Sequence, residues 1–273
     1  MEVSGKVAVV TGGASGIGRA MALRFADEGA RGVVVADLDE GGTESVAREV
    51  GPKGLGLACD VSDEAEVAKL IESAEEAFGP VDLFCANAGV ANGLGLDTPD
   101  EVWELTFGVN VNAHIYAARR LVPAWLERGE GYFLSTASAA GLLTQIGDVS
   151  YAVTKHAAVA FAEWLSVTYG ERGVGVSCLC PMGVRTPLLL QGLEDAAGPE
   201  SLGAKVVAAA GDLLEPEEVA DHVIEGLRDE RFLILPHPVV GEFMRRRGDD
   251  HERWLAGMRR LQTQIERALA SES

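Results

Sequence analysis

Tyr151 and Lys155 stand four residues apart in a chain of 273 residues, and side chains at that spacing share one face of a helix. An ammonium beside a phenol favours the phenolate, so the pair is expected to lower the tyrosine pKa toward the range of a general acid–base group. Ser138 lies thirteen residues upstream, just past an apolar run, where its hydroxyl can hold a substrate oxygen. A tyrosine–lysine spacing arises by chance in many helices, so its meaning depends on what surrounds it.

A second group of residues suits an anion. Thr11-Gly12-Gly13-Ala14-Ser15-Gly16-Ile17-Gly18 follows a short apolar run and precedes a helical pattern. Glycines let the backbone turn tightly and approach a pyrophosphate, and a helix N-terminus offers it free N–H groups and a positive dipole end. The spacing is G-x-x-x-G-x-G rather than G-x-G-x-x-G, since Met21 occupies the last position of the latter. Asp37 ends the second apolar run, nineteen residues after Gly18. A carboxylate there accepts hydrogen bonds from ribose hydroxyls and repels a 2′-phosphate, which selects NAD over NADP. Asp39 and Glu40 add negative charge, and Arg19 is the opposing feature.

These groups need elements to carry them. Near-continuous apolar runs at 7–10, 33–36, 55–58, 83–86, 132–134, 174–179 and 232–235 read as strands buried on both faces. Amphipathic stretches at 18–28, 43–50, 64–78, 100–127, 151–171 and 216–228 read as helices. Asp63 with Glu66 reads as a capping box, and Pro216 suits a first helical turn. Alternation of this kind predicts an α/β fold with a doubly wound parallel sheet of about seven strands. One domain is expected over 1–238, including a long lid-like connection at 188–214, with a helical extension at 239–273. Within the extension, Trp254, Met258, Leu261, Ile265 and Ala268 form an apolar stripe. It is expected to pack on the chain's own domain, on a neighbouring subunit or its substrate lid, with a membrane-surface role as the remaining alternative.

Composition narrows the class. The 47% hydrophobic and 24% charged residues suit a globular enzyme and exclude disorder. A net charge of −19 argues against nucleic acid and anionic membranes as partners. No run reaches the length of a membrane span and no leader pattern is visible, so a cytoplasmic location is expected. Cys59, Cys85, Cys178 and Cys180 read as small buried hydrophobes, and the scattered histidines suggest no metal site.

Together these residues resemble the short-chain dehydrogenase/reductase family. The matching pieces are Thr11-Gly12-x-x-x-Gly16-x-Gly18, Asp60-Val61, Asn87-Ala88-Gly89, Asn110, Ser138 and Tyr151-Ala-Val-Thr-Lys155, within about residues 5–235. The resemblance implies a Rossmann-type fold with strand order 3-2-1-4-5-6-7 and hydride transfer at nicotinamide C4. It implies that Tyr151 is the acid–base group and that Ser138 polarises the substrate oxygen. Lys155 would bind the nicotinamide ribose and tune Tyr151, and Asn110 would hold a relay water. Gly12, Ser15, Gly16, Ile17 and Gly18 would cradle the pyrophosphate. Asp60 and Val61 would contact adenine, and Asn87, Ala88 and Gly89 would line the adenosine side. Val184 and Thr186 would meet the carboxamide. A homodimer or homotetramer is implied, with the helices of Asn110 and Tyr151 at its interface.

One departure stands out: Pro181-Met182-Gly183-Val184-Arg185-Thr186 has Met182 where the family commonly has glycine, so the backbone changes there or Met182 faces the substrate. The expected activity is NAD-dependent exchange of hydride with a secondary alcohol or ketone, oxidation being favoured. Segments 90–96, 139–145 and 182–190 are the expected substrate lining, mostly apolar. The alternatives are a catalytically silent sensor of dinucleotide redox state, and reduction of an acyl group on a carrier protein. The second is opposed by Asp37 and by repulsion between two acidic proteins.

Overall fold

The computed structural model describes residues 1–92, 94–194, 202–209 and 211–272. Strand β1 (Val7–Thr11) leads to helix α1 (Gly16–Asp27), β2 (Gly32–Asp37) to α2 (Glu40–Val50), and β3 (Gly54–Ala58) to α3 (Glu64–Phe78). After β4 (Leu83–Ala86) come α4 (Asp100–Phe107), a π-helical turn at Gly108–Asn112 and α5 (Ala113–Arg128). Next are β5 (Gly131–Thr136), the short α6 (Ala140–Leu143), α7 (Val149–Tyr169) and β6 (Val174–Leu179). Helices α8 (Pro187–Glu194), α9 (Leu202–Ala209) and α10 (Pro216–Arg228) precede β7 (Leu233–Ile234), and α11 (Pro238–Asp249) and α12 (His251–Glu272) follow it. The seven strands form one sheet in the order β3-β2-β1-β4-β5-β6-β7, parallel throughout.

Both faces of the sheet are covered, which is why the strands read as unbroken apolar runs. Val9, Val34, Phe84 and Phe133 pack toward Leu70, Leu121, Trp125 and Leu165 of α3, α5 and α7. Their neighbours Val10, Val33, Val35 and Leu134 face Met21 and Phe25 of α1 and Val223 and Leu227 of α10. Each large side chain fully buried this way stabilises the fold by roughly 1.5–3 kcal/mol.

Several elements differ from the sequence reading. The stretch expected as one helix over 100–127 is divided by the π-helical turn, whose extra residue lets Asn110 reach sideways to Val90. Asp63 caps α3 by accepting from the Ala65 and Glu66 N–H groups, but Glu66 turns instead to the Asp60 N–H at 2.6 Å, so the box is not reciprocal. Asp39 caps α2 through the Gly42 N–H at 3.0 Å, which moves that helix start to Glu40. The expected strand at 232–235 shortens to two residues. The described parts of 188–214 form α8 and α9; residues 195–201 and 210 lie outside the described residues.

The extension is two helices rather than one, because Asp250 takes extended dihedrals and its carboxylate caps the next turn through the Arg253 N–H at 2.9 Å. Val240, Phe243, Met244 and Trp254 join Ala139, Leu142, Leu143 and Met182 in a separate apolar cluster. The Arg247 guanidinium donates to the Leu142 carbonyl, and α12 touches α9. The start of the extension thus packs on its own chain, against the β5–α7 connection, with α12 also touching α9.

Candidate active site

The strand ends open on a cleft of about 770 Å³. Gly12 and Gly16 take positive φ of 63° and 51°, a region that favours glycine. A side chain at Gly18 would place its Cβ 2.1 Å from the Gly12 carbonyl oxygen, so the loop folds this tightly only with glycine there. The first turn of α1 opens toward the cleft, and Ser15 at its N-cap makes no capping bond with its side chain. Thr11 ties β1 to β4: its hydroxyl donates to the Cys85 carbonyl at 3.2 Å and accepts from the N–H groups of Asn87 and Ala88 at 2.9 and 3.1 Å. Asn87 returns its side-chain amide to the Thr11 carbonyl at 2.9 Å. Asp37 faces the same space and accepts from the Ala14 N–H at 3.1 Å. The shape and the donor set fit a dinucleotide: a glycine cradle, an open helix N-terminus and a carboxylate at the ribose end.

At the other end of the cleft, Ser138 follows β5 and Tyr151 lies in the first turn of α7. Both side chains face the cleft, with the Ser138 hydroxyl near enough to act on the Tyr151 phenol. The Lys155 ammonium lies 5.5 Å from the Tyr151 ring centre and donates to the Thr136 carbonyl at 3.0 Å. Gly89 is close enough that an added Cβ would stand 3.2 Å from Lys155 Nζ. Gly12, Ser15, Gly16, Ile17, Gly18, Asp37, Asp60, Val61, Asn87, Ala88, Gly89, Ser138, Tyr151, Lys155, Val184 and Thr186 all line this one cleft. Asn110 sits behind the wall: its side chain donates to the Val90 carbonyl and accepts from the Val90 N–H, both at 2.9 Å, and donates to the Thr154 hydroxyl.

The electrostatics differ from expectation. Burial raises the Tyr151 phenol above its ordinary value, the nearby Ser138 hydroxyl lowers it, and Asp148 and Cys180 raise it further. The expected lowering by Lys155 is absent from these causes. Lys155 is itself almost fully buried, which brings its ammonium down to about 8. The charge that would favour a phenolate is therefore weakened by the same desolvation that raises the phenol. Cys178 and Cys180 are buried with their sulfurs 3.7 Å apart.

The family model for the short chain dehydrogenase matches residues 6–197. The chain belongs to the short-chain dehydrogenase family. As such it is an oxidoreductase of a family acting on hydroxyl and keto groups. It is 36% identical over 258 residues to a 1-deoxy-11-beta-hydroxypentalenate dehydrogenase of Streptomyces exfoliatus, covering 92% of this chain and 90% of the relative. A short-chain dehydrogenase/reductase of Burkholderia phymatum, solved in complex with NAD, superposes with a TM-score of 0.83 at 34% identity, over 92% of this chain and 96% of that one. A 3-ketoacyl-(acyl-carrier-protein) reductase of Brucella melitensis, complexed with NADH, gives 0.74 at 31%, over 85% and 96%.

Some lining residues of this short-chain dehydrogenase escaped the sequence reading. Leu105, Ala204 and Val207 line the cleft from α4 and α9, and no local pattern points to them. Asp148 lines it as well and caps α7; a carboxylate just before a helical run was the available signal. Of the expected segment 139–145, Gln145 is the residue found among the cleft lining, while Ala139, Leu142 and Leu143 point into the cluster under the extension. Met182 faces the cleft and packs against that cluster too. Its N–H lies 3.2 Å from His237 Nδ1.

Proposed function

We propose that this chain exchanges hydride between NAD(H) and a secondary alcohol or ketone, with Tyr151 as the acid–base group. The observation that carries the reading is the convergence of Ser138, Tyr151 and Lys155 in the same cleft that the glycine loop and Asp37 line. When bound, the nicotinamide cofactor supplies the hydride acceptor or donor. Gly12, Ser15, Gly16, Ile17 and Gly18 would hold its pyrophosphate, Asp60, Val61, Asn87, Ala88 and Gly89 its adenosine side, and Val184 and Thr186 its carboxamide.

Ser138 donates to and orients the substrate oxygen. In oxidation Tyr151 accepts the hydroxyl proton at its phenolic oxygen, and in reduction it returns it. Lys155 holds the nicotinamide ribose, and its ammonium supports the phenolate as the proton arrives or leaves. Asn110 braces the wall at Val90. A buried phenol held above its ordinary value places the active form on the alkaline side for oxidation. The cellular NAD pool is usually oxidised, which favours that direction.

NAD is favoured over NADP because Asp37 stands where a 2′-phosphate would meet a carboxylate. Arg19, the nearby cation, is paired with Glu49 at 2.6 Å. The mostly apolar lining, including Val90, Leu105, Met182, Leu188 and Leu189, suits a hydrophobic alcohol. A homodimer or homotetramer through α5 and α7 agrees with the exposed Val153, Trp164 and Val167 on α7. The test is turnover of a panel of secondary alcohols followed at the NADH absorbance, wild type against Tyr151→Phe. The variant is expected to bind NAD normally and to lose at least about 10²–10⁴-fold in kcat. Substantial residual kcat would overturn the assignment. NAD binding by the wild type without turnover of any alcohol or ketone would instead favour the redox sensor.

A further inference from the structure

Asp148 is a buried carboxylate that the proposed chemistry does not use. It is 5% exposed, lines the cleft and stands three residues before Tyr151. One carboxylate oxygen accepts from the Tyr151 N–H at 2.9 Å and from the Ser150 hydroxyl at 3.0 Å. The other accepts from the Asn92 N–H at 2.8 Å. The first bond is ordinary helix capping, and the first two are both local. The third is not: it crosses 56 positions of sequence to the β4–α4 connection, where Val90 and Asn92 line the same cleft as Tyr151. The same connection is bolted from behind at Val90 by Asn110, and the Val149 N–H donates to the Leu94 carbonyl at 3.1 Å.

We propose that Asp148 is a positioning residue: its carboxylate joins the N-terminus of α7 to the Asn92 backbone and so sets both the spacing of the cleft wall and the charge around the acid–base residue. A serine or asparagine would cap α7 about as well. Neither could both reach and accept from the Asn92 N–H with a charged oxygen. Hydrogen bonds to charged acceptors are stronger than neutral ones, so the carboxylate is what makes the bridge firm. The groups acting on the phenol are Ser138 beyond β5, Cys180 beyond β6, and Asp148 ahead of it on α7, with the Lys155 ammonium one turn further along. Asp148 is the carboxylate in that set, and its charge opposes formation of the phenolate. The cleft wall is therefore held firmly, and the phenol keeps its proton to higher pH.

The inference rests on the proposed role of Tyr151, and the experiment separates the two. Asp148→Asn keeps a helix cap but replaces the oxygen facing Asn92 by an NH₂ group or a neutral oxygen. Asp148→Ser, which caps α7 but is too short to reach Asn92, is the second variant where the first does not fold. The protein without added cofactor is titrated by ultraviolet difference absorbance of tyrosinate, with Tyr151→Phe identifying the Tyr151 contribution. Exchange at the Asn92 amide is followed by NMR. The expected result is a Tyr151 titration moved to lower pH together with Asn92 exchange at least about ten-fold faster, the equivalent of one lost bond to a charged acceptor. Either change without the other overturns the proposal. So does a fall in helix stability with neither change, which would make Asp148 a cap alone. Turnover of cyclohexanol with NAD is measured alongside. An active Tyr151→Phe defeats the acid–base reading, whereas an inactive Tyr151→Phe with wild-type titration and exchange in Asp148→Asn defeats the Asp148 proposal alone.

Discussion

Replacing Lys155 by methionine should abolish turnover, and the stability of the variant relative to wild type should fall as the pH rises from about 7 to about 10. The ammonium is buried, with the Thr136 carbonyl as its acceptor at 3.0 Å. Burial brings its pKa from 10.5 to about 8. In the unfolded chain the ordinary value returns. Between pH 8 and 10.5 the unfolded state therefore binds more protons at this site than the folded one, and this contribution to stability rises with pH. At pH 7 the folded lysine carries nearly the whole penalty, about 3 kcal/mol at about 1.4 kcal/mol per pH unit; at pH 10 less than about 1 kcal/mol remains. Methionine has a similar length and no charge. It leaves the Thr136 carbonyl without this donor, a cost of about 1–3 kcal/mol that does not vary with pH. The diagnostic quantity is thus the slope. Urea unfolding of both proteins at pH steps from 7 to 10, without cofactor, should show the stability of the methionine protein relative to wild type falling by roughly 2–3 kcal/mol. Parallel curves would refute the argument, because they would mean that the buried amine is not held away from its ordinary value.

Gly18→Ala should leave no undistorted loop, since its Cβ would lie 2.1 Å from the Gly12 oxygen and 2.7 Å from Asn87 Nδ2; NAD affinity by fluorescence titration should fall at least about ten-fold. Asp37→Asn keeps an acceptor for the Ala14 N–H but removes the charge, so the ratio of kcat/KM for NAD to that for NADP should fall by about ten-fold or more. Truncation after Pro238 strips Phe243, Met244 and Trp254 from behind Met182. KM for the alcohol should rise while kcat stays within about two-fold, and light scattering reports whether assembly changes as well.

The strands and the glycine loop were legible because the forces that form them are local. A sheet covered on both faces needs unbroken apolar runs, and a tight turn against a helix N-terminus needs glycine at Gly12, Gly16 and Gly18. The convergence of Ser138, Tyr151 and Lys155 was legible too, since helix periodicity puts the last two on one face. What escaped depends on contacts between distant segments. The bond from Asp148 to Asn92 and the seating of Phe243 and Trp254 against Leu142 have no trace in local composition. The expected effect of Lys155 on Tyr151 failed for a similar reason. Helical spacing gives the proximity of the two groups, whereas burial depends on the whole fold and here acts on both. The division of the extension at Asp250 went unread because the apolar stripe lies wholly within α12, after the break.

The π-helical turn at Gly108–Asn112 has a consequence for how this chain can vary. Each residue of an α-helix advances the face by about 100°, so the widened turn acts as a fixed phase offset between α4 and α5. Upstream of it Leu105 looks into the cleft; downstream Ala117, Leu121 and Trp125 look into the core. Removing one residue would swing one of these faces out of place, either pulling Asn110 from Val90 or turning the apolar stripe of α5 toward solvent. Substitutions here change one contact each, whereas an insertion or deletion damages the core and the cleft wall together. Beyond Asn110, whose side chain holds Val90, it is the number of residues in this stretch that the fold constrains.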